Sequence, residues 1–389
     1  MSRHLASPGA SRLLSPAPRL TSLDGLRGAA ALIVLAHHTL LTKPGLADPY
    51  YTNVPATGTT AWLVHTPLHL LWAGTEAVYL FFVLSGFVLG LAVSSPKFTW
   101  RTYLPARLVR LYIPVTAAVL LGATIITVFP RGGEASVWLR RRVPEYVTSY
   151  LEKDLTLLAG PSGAITPLWS LQWEVLFSLL LAAFIATGLA LKPSAQIVAA
   201  LIVSTYGFYS DVLALAYMPM FLIGTALAQA WPAVWHQLKR TRESHARWLA
   251  VVVIGTLLTT SFWLLMPFGP VARIYLLTRP AIIIGVTALL LAAAVWLPLA
   301  RLLSSPVFRW AGIVSFSLYL VHEPIVIAFA SAWPGSNAAL AAAVLVSLCT
   351  GTGFFLLVER PSHRLARALG RDKPVANAAD ALSSPLTVR

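Results

Sequence analysis

The feature of this sequence that most constrains its fold is a series of apolar stretches, each close to 20 residues long, with short polar segments between them. A stretch of that length crosses the hydrocarbon core of a bilayer as an α-helix. A transmembrane β-barrel would show shorter segments of about 10 residues with alternating polarity. Only 11% of the residues are charged, whereas soluble domains carry about a quarter. We therefore predict an all-α, polytopic transmembrane helix bundle.

The apolar stretches predict about ten spans, of which the fifth is the shortest. The predicted spans are 25–42, 70–93, 109–130, 167–191, 194–210, 212–231, 248–268, 276–297, 307–330 and 337–358. Segments 1–20 and 366–389 are rich in Pro, Ala and Ser and are predicted to be disordered tails. The expected transmembrane domain is thus 21–365.

The net charge of +15 is better explained by membrane topology than by a nucleic-acid partner. If the N-terminus is cytoplasmic, 21 of the 29 basic residues fall on the cytoplasmic side, as the positive-inside rule requires. Both termini are therefore predicted to be cytoplasmic, with the plasma (inner) membrane as the location. The main exception is the cluster Arg140–Arg142, in the longest predicted loop.

Several classes of cofactor are not indicated by the sequence. The chain has no GxxxxGK[ST] or GxGxxG motif, so an ATP-driven pump and a dinucleotide enzyme are both unfavoured. The single cysteine, Cys349, can form neither an intrachain disulfide nor a cysteine-based zinc site. We expect no metal and no permanently bound cofactor.

Two ionisable residues lie at opposite ends of the first predicted span. Arg27 and His38 are 11 residues apart, which on an α-helix places them about 20° from alignment and roughly 16 Å apart along the axis. His37 is turned about 80° away, so the geometry selects His38 as the residue on the Arg27 face. Asp24 precedes Arg27 by three residues and can pair with it. The structural alternative is that Arg27 only anchors the helix at the interface.

Further ionisable residues lie near the ends of later spans. Arg107 and Arg110 share one helix face, and guanidinium groups bind phosphate by bidentate hydrogen bonds; anchoring to anionic lipid is the alternative. Glu174 lies about two turns into its span, where an unpaired carboxylate is costly. Glu359 closes the last span and is ranked second, as the partner in an end-of-span ion pair.

A polar stripe marks the ninth predicted span. Ser315, Tyr319 and His322 are spaced i, i+4 and i+7, which places them on one helix face. We expect this stripe to face the interior of the bundle. The alternative is a stripe that only connects helices by hydrogen bonds.

These motifs together resemble the acyltransferase 3 family of integral membrane O-acyltransferases. The similar segments, in the order of that family, are Leu23–Gly28 with His37 and His38, FFVLSGF at 81–87, the RxxR pair Arg107 and Arg110, PLWSLQWE at 167–174, SFSLYLVHEP at 315–324, and Glu359–Pro361. Two departures are Tyr79, where an acidic or small residue is common, and a single glutamate at 174 where some members have two acids. The resemblance covers nearly all of 21–365, without an appended esterase-like domain.

The resemblance implies transfer of an acyl group, most often acetyl, from cytoplasmic acyl-CoA to a hydroxyl group. Implied acceptors are sugars of a surface polysaccharide, a lipid-linked glycan or a glycosylated metabolite. The implied roles are catalysis for His38, Arg27 and Glu174, donor binding for Arg107 and Arg110, acceptor or oxyanion binding for Ser315, Tyr319 and His322, and support for Asp24, Ser85, Trp169 and Glu359. A neutral imidazole is the usual base for activating a hydroxyl, which fits His38 independently.

Two other classes of protein remain open at this point. A transporter or flippase for a glycolipid or small molecule would also place polar residues inside its spans. A non-catalytic scaffold of a polysaccharide assembly would not depend on His38. The sequence leaves open the acceptor, the acyl length, direct transfer against an acyl-enzyme relay, the side of the membrane on which the acceptor is modified and the oligomeric state.

Overall fold

The computed structural model describes residues 20–132 and 136–369, and within these ranges every regular element is helical. The predicted N-terminal tail lies almost entirely outside the described residues. The predicted C-terminal tail lies outside them from residue 370 onward, and residues 366–369 belong to the last helix.

The helices follow the apolar stretches closely. They are α1 Thr21–Leu40, α2 Pro44–Thr52, α3 Gly58–Val64, α4 Gly74–Val93, α5 Trp100–Val128, α6 Val137–Arg140, α7 Thr148–Thr156, α8 Leu168–Ala190, α9 Pro193–Tyr209, α10 Leu213–Leu238, α11 His245–Thr259, α12 Ser261–Leu265, α13 Val271–Val295, α14 Leu297–Leu303, α15 Pro306–Ala332, α16 Asn337–Phe354 and α17 Arg360–Leu369. A single π-helical turn, Phe355–Glu359, joins the last two.

The number of spans is slightly smaller than the sequence predicts. Seven helices of the described residues are long and apolar enough to cross a membrane, and two bent pairs raise this number to nine. The bends are 99° between α1 and α2 and 64° between α11 and the segment Ser261–Phe268. The predicted span that is missing from these nine is the fifth, 194–210, which corresponds to α9 and has 17 residues. A helix of that length is about 26 Å long, just short of a hydrocarbon core of about 30 Å.

Helices α1 and α15 pack side by side in the same direction and register. A Cβ built on Gly28 would collide with the backbone of Gly312, and one built on Gly312 would collide with Asp24. Helices in lipid associate through such close van der Waals packing of small residues. The same register brings His38 of α1 opposite His322 of α15, so the glycine contact determines which polar residues meet further along.

The described residues between α5 and α8, a segment predicted to be a polar loop, pack together into what we name the cap. Asp154 is fully buried and accepts hydrogen bonds from the Ser162 amide (2.7 Å), the Ser162 hydroxyl (2.9 Å) and the Tyr146 hydroxyl (2.9 Å). Burial and the Asp154 carboxylate raise the pKa of Tyr146, which keeps its hydroxyl a donor. Arg131 closes the cap by donating to the Ala164 carbonyl at 2.7 Å.

Candidate active site

Two polar groups of residues lie at different depths along α1. One group lies near the N-terminus of α1, and we name this end of the bundle the proximal end. The other group lies near the C-terminus of α1, at what we name the distal end. Arg27 belongs to the proximal group and His38 to the distal group, about 16 Å further along the helix.

The distal group is built around a pair of histidines. His38 Nδ1 lies 2.7 Å from His322 Nε2, and the two rings are stacked with their centroids 5.0 Å apart. His322 is fully buried, whereas His38 is partly exposed. The structure therefore brings together two predicted residues that are 284 positions apart in the chain.

The hydrogen bonds determine which nitrogen of each neutral ring carries the proton. His322 Nδ1 lies 2.9 Å from the Leu318 carbonyl oxygen, and a carbonyl can only accept, so His322 Nδ1 is the protonated nitrogen. Its Nε2 is then an acceptor, and His38 must donate from Nδ1. This leaves the lone pair of His38 on Nε2, which is the form of imidazole that a general base needs.

His37 lies on a different face of α1 from His38, as the helix geometry predicts, and its ring packs edge-on against that of His38 with centroids 5.3 Å apart. Its Nδ1 donates to the Trp72 carbonyl at 3.0 Å, and the ring packs against Gly74, where a Cβ would collide with it. His37 therefore holds the start of α4 against the end of α1. That His38 is the functional histidine of the two stays a prediction.

The opposite side of His38 contacts residues of the cap. The Trp138 ring is stacked near that of His38, with centroids 5.6 Å apart and an interplanar angle of 18°. Arg142 donates from Nε to the Trp138 carbonyl at 3.2 Å, and its guanidinium lies 5.4 Å from the indole centroid. Arg142 Nη1 also donates to the Thr166 hydroxyl at 2.9 Å and lies 3.6 Å from the Glu323 carboxylate. Glu323 is fully buried and accepts from the Thr166 amide at 2.8 Å and from the Thr166 hydroxyl.

Sequence reasoning missed Trp138, Arg142 and Glu323 as members of the site. The available signals were the Arg140–Arg142 cluster, which breaks the positive-inside pattern, and the position of Glu323 directly after His322. A basic residue that departs from the predicted topology and a carboxylate inside a predicted span explain each other when they pair.

The remaining residues of the predicted stripe do not reach His38. Tyr319 is buried and its hydroxyl lies 2.7 Å from Ser170, which itself donates to the Pro167 carbonyl, so Tyr319 is the donor to Ser170. Ser315 is buried and donates within its own helix, to the Gly312 carbonyl at 2.9 Å. The stripe faces the interior of the bundle as predicted. Tyr319 connects α15 to α8 through Ser170, and Ser315 bonds within α15. Acceptor or oxyanion binding by them stays a prediction.

The proximal group contains an ion pair between two of the predicted site residues. Arg107 Nη2 forms a direct ion pair with the Glu174 carboxylate, which also accepts from the Ser85 hydroxyl at 2.7 Å. Arg107 Nε donates to the Ser178 hydroxyl at 3.2 Å. Three helices, α4, α5 and α8, therefore meet at Glu174. This contact gives the partly buried carboxylate the partners that its position requires.

Further charged residues surround this ion pair. Arg27 lies 3.8 Å from Asp24 and interacts electrostatically with Arg107, Glu174 and Glu359. Arg110 interacts electrostatically with Arg27, Arg107 and Glu359. Three guanidinium groups thus gather at the proximal end of the bundle, and donor binding by Arg107 and Arg110 stays a prediction.

Glu359 faces the interior of this group instead of ending the span at the surface. Its carboxylate is buried and accepts from the Ser317 amide (3.2 Å) and the Ser317 hydroxyl (2.5 Å). His363 lies 3.6 Å from the other carboxylate oxygen. Trp169, predicted as a supporting residue, packs with Phe82 and Tyr217 and, among the residues that the structure describes, forms no hydrogen bond to either polar group.

Comparison with known proteins defines the class of the protein. An acyltransferase domain model matches residues 20–359, so the chain belongs to the acyltransferase 3 family and is a multi-pass membrane acyltransferase. It is similar to the acyltransferase MdmB of Streptomyces mycarofaciens, with 29% identity over 403 residues, covering 93% of this chain and 95% of the relative. No solved structure gives a significant match. Family membership favours the enzyme over the transporter and the scaffold.

Proposed function

We propose that the protein moves an acyl group, most often acetyl in this family, from acyl-CoA to a hydroxyl of a sugar. The sugar belongs to a surface polysaccharide, a lipid-linked glycan or a glycosylated metabolite. The observation that carries this proposal is the His38–His322 pair, because its hydrogen bonds leave an unprotonated Nε2 on a partly exposed imidazole. The relative's name specifies an acyltransferase and supports the reaction class alone.

His38 is the general base in this mechanism. Nε2 takes the proton of the acceptor hydroxyl as its oxygen attacks the thioester carbonyl, which forms a tetrahedral intermediate. The carbon–sulfur bond then breaks, and the thiolate of CoA takes up the proton that His38 holds. During the step His322 accepts the hydrogen bond of His38 Nδ1 and stabilises the positive charge on that ring, much as the third member of a catalytic triad does.

The proximal group is proposed to hold the donor. CoA carries phosphates at one end and its thioester at the other end of a flexible arm. Arg107, Arg110 and Arg27 supply guanidinium groups for the phosphates, and the arm extends between the helices toward His38. The distance of about 16 Å along α1 separates phosphate binding from chemistry. With the proximal end cytoplasmic, the donor enters from the side where acyl-CoA is made.

Glu174 has a positioning role in this proposal. It holds Arg107 between α4 and α8 through the ion pair and the Ser85 hydrogen bond. Arg107 retains donors for a phosphate, because a guanidinium has five N–H groups.

The proposed function is tested by CoA release from acetyl-CoA, using the purified protein in nanodiscs with a mixture of glycosylated acceptors. We expect acceptor-dependent release that falls about 100-fold or more in His38→Ala, the range that general base catalysis covers. His236→Ala is the control, because His236 is an exposed histidine on α10 and belongs to neither polar group.

Each outcome of this experiment has a distinct meaning. Activity retained in His38→Ala would overturn the role of His38 as the base. No release by the wild type with any acceptor, together with no binding of acetyl-CoA, would overturn CoA-dependent transfer itself.

A further inference from the structure

Five residues at the distal end form a closed ring of contacts. His38 is bonded to His322, and Glu323 follows His322 on α15. Glu323 pairs with Arg142, Arg142 contacts Trp138, and the Trp138 ring returns to His38. This closed set of contacts joins α1, α15 and the cap, which are distant in the chain, around the imidazole of His38.

Three contacts limit the orientation of the His38 imidazole. His322 holds Nδ1 by a hydrogen bond of 2.7 Å, which narrows the rotation of the ring about its Cβ–Cγ bond. The Trp138 indole lies nearly parallel to the imidazole, at 18° and 5.6 Å, and the His37 ring packs against it edge-on at 5.3 Å. Together these contacts narrow the directions in which Nε2 points.

Arg142 determines the place of Trp138. Trp138 belongs to the four-residue helix α6, which is too short to be rigid by itself. Arg142 bonds to the Trp138 carbonyl and lies over its indole. It is also tied to Glu323 and Thr166, so the cap is fixed to the same helix that carries His322. The position of Trp138 therefore follows that of α15.

We propose that Trp138 and Arg142 are positioning residues that hold His38 with Nε2 directed at the acceptor hydroxyl. This inference rests on the proposed function, since it assigns residues that act through the base. Neither residue needs to touch the substrates. Both act before the reaction, by limiting the orientations of the base, and such preorganisation raises the rate of the chemical step.

The test separates orientation of the base from stability of the fold. Trp138→Leu removes the flat indole face, whereas Trp138→Phe keeps an aromatic ring. We expect Trp138→Leu to lower kcat about tenfold while KM for acetyl-CoA stays within twofold, and Trp138→Phe to restore most of kcat. Trp231→Leu is the matched control: Trp231 is equally buried among aromatic rings, against Phe87 and Trp235, and kcat should not change.

Arg142 provides a second, independent measurement. Arg142→Gln is expected to lower kcat about as much as Trp138→Leu does, and Arg142→Lys to lower it less. The double variant Trp138→Leu/Arg142→Gln should be no slower than the worse single variant, since both substitutions disable one unit.

Results that oppose the inference are equally distinct. Unchanged kcat in folded Trp138→Leu would overturn it, as would a loss confined to KM or fully additive effects in the double variant. If the wild type showed no acceptor-dependent CoA release, the proposed function would fail instead.

Discussion

The proximal and distal polar groups share one helix and differ in their chemistry. The proximal group is charged: Arg27, Arg107 and Arg110 stand among the carboxylates of Glu174 and Glu359. The distal group is centred on two imidazoles that are bonded to each other. Charges suit the binding of a polyanion, because attraction needs no change of protonation, whereas proton transfer needs a group with a free lone pair.

The carboxylates of the two groups also have different partners. Glu174 at the proximal end pairs with Arg107 across three helices. Glu323 at the distal end pairs with Arg142 and Thr166 of the cap. Glu174 therefore orders a cation that is proposed to meet the donor, and Glu323 orders the surroundings of the proposed base.

A substitution of His322 is expected to have the largest effect, and it tests whether the distal and proximal groups act separately. In His322→Phe the ring remains but the acceptor for His38 Nδ1–H is lost, so we expect kcat to fall by roughly 100-fold or more. KM for acetyl-CoA should change little, because the proximal group is intact. Steady-state CoA release at varied acetyl-CoA measures both constants. A change in KM alone would show that His322 takes part in donor binding.

A substitution in the helix contact should disturb both groups together. Gly28→Ala places a Cβ against the backbone of Gly312, and overpacking of this kind costs about 1–3 kcal/mol. We expect a lower midpoint of thermal unfolding in detergent and a lower kcat, because α1 must move away from α15.

Gly353→Ala is the control for this substitution, since nothing lies within 4 Å of a Cβ at that position. It should leave both the unfolding midpoint and kcat unchanged. Unaltered kcat in Gly28→Ala would mean that the register of the two helices does not control the histidine pair.

The smallest expected effect is confined to the proximal group. Arg110→Gln removes one guanidinium, and a charge-assisted hydrogen bond contributes about 1.5–3 kcal/mol, so KM for acetyl-CoA should rise about tenfold. The kcat value should stay within twofold. Arg110→Lys keeps the charge without the bidentate geometry and should lie between.

Ionic strength provides a separate check on this prediction. KM for acetyl-CoA should increase with salt in the wild type and less so in Arg110→Gln, since screening weakens contacts between charges. A fall of kcat at constant KM in Arg110→Gln would place this residue in the chemical step.

Much of the site could be anticipated because periodicity within one helix is visible in a sequence. The 11-residue spacing of Arg27 and His38 and the turn of His37 to another face both follow from 3.6 residues per turn. The shared face of Tyr319 and His322 follows in the same way. Helical spacing does not show which residue packs against each helix face. The sequence pattern therefore groups Tyr319 with His322, although its hydroxyl is bonded to Ser170.

The sequence by itself determined the helical class, most of the spans, the charged residues of the proximal group and the two histidines of the distal group, because apolar length and helical period are local properties of the chain. Only the tertiary structure decided that His322 meets His38, that Glu323 meets Arg142 and that the Trp138 ring stacks near that of His38. These contacts depend on the close approach of α1 to α15 at Gly28 and Gly312 and on the folding of the cap around Asp154. These contacts are determined by packing between segments that are distant in the chain, and the spacing of residues within one segment does not reveal that packing.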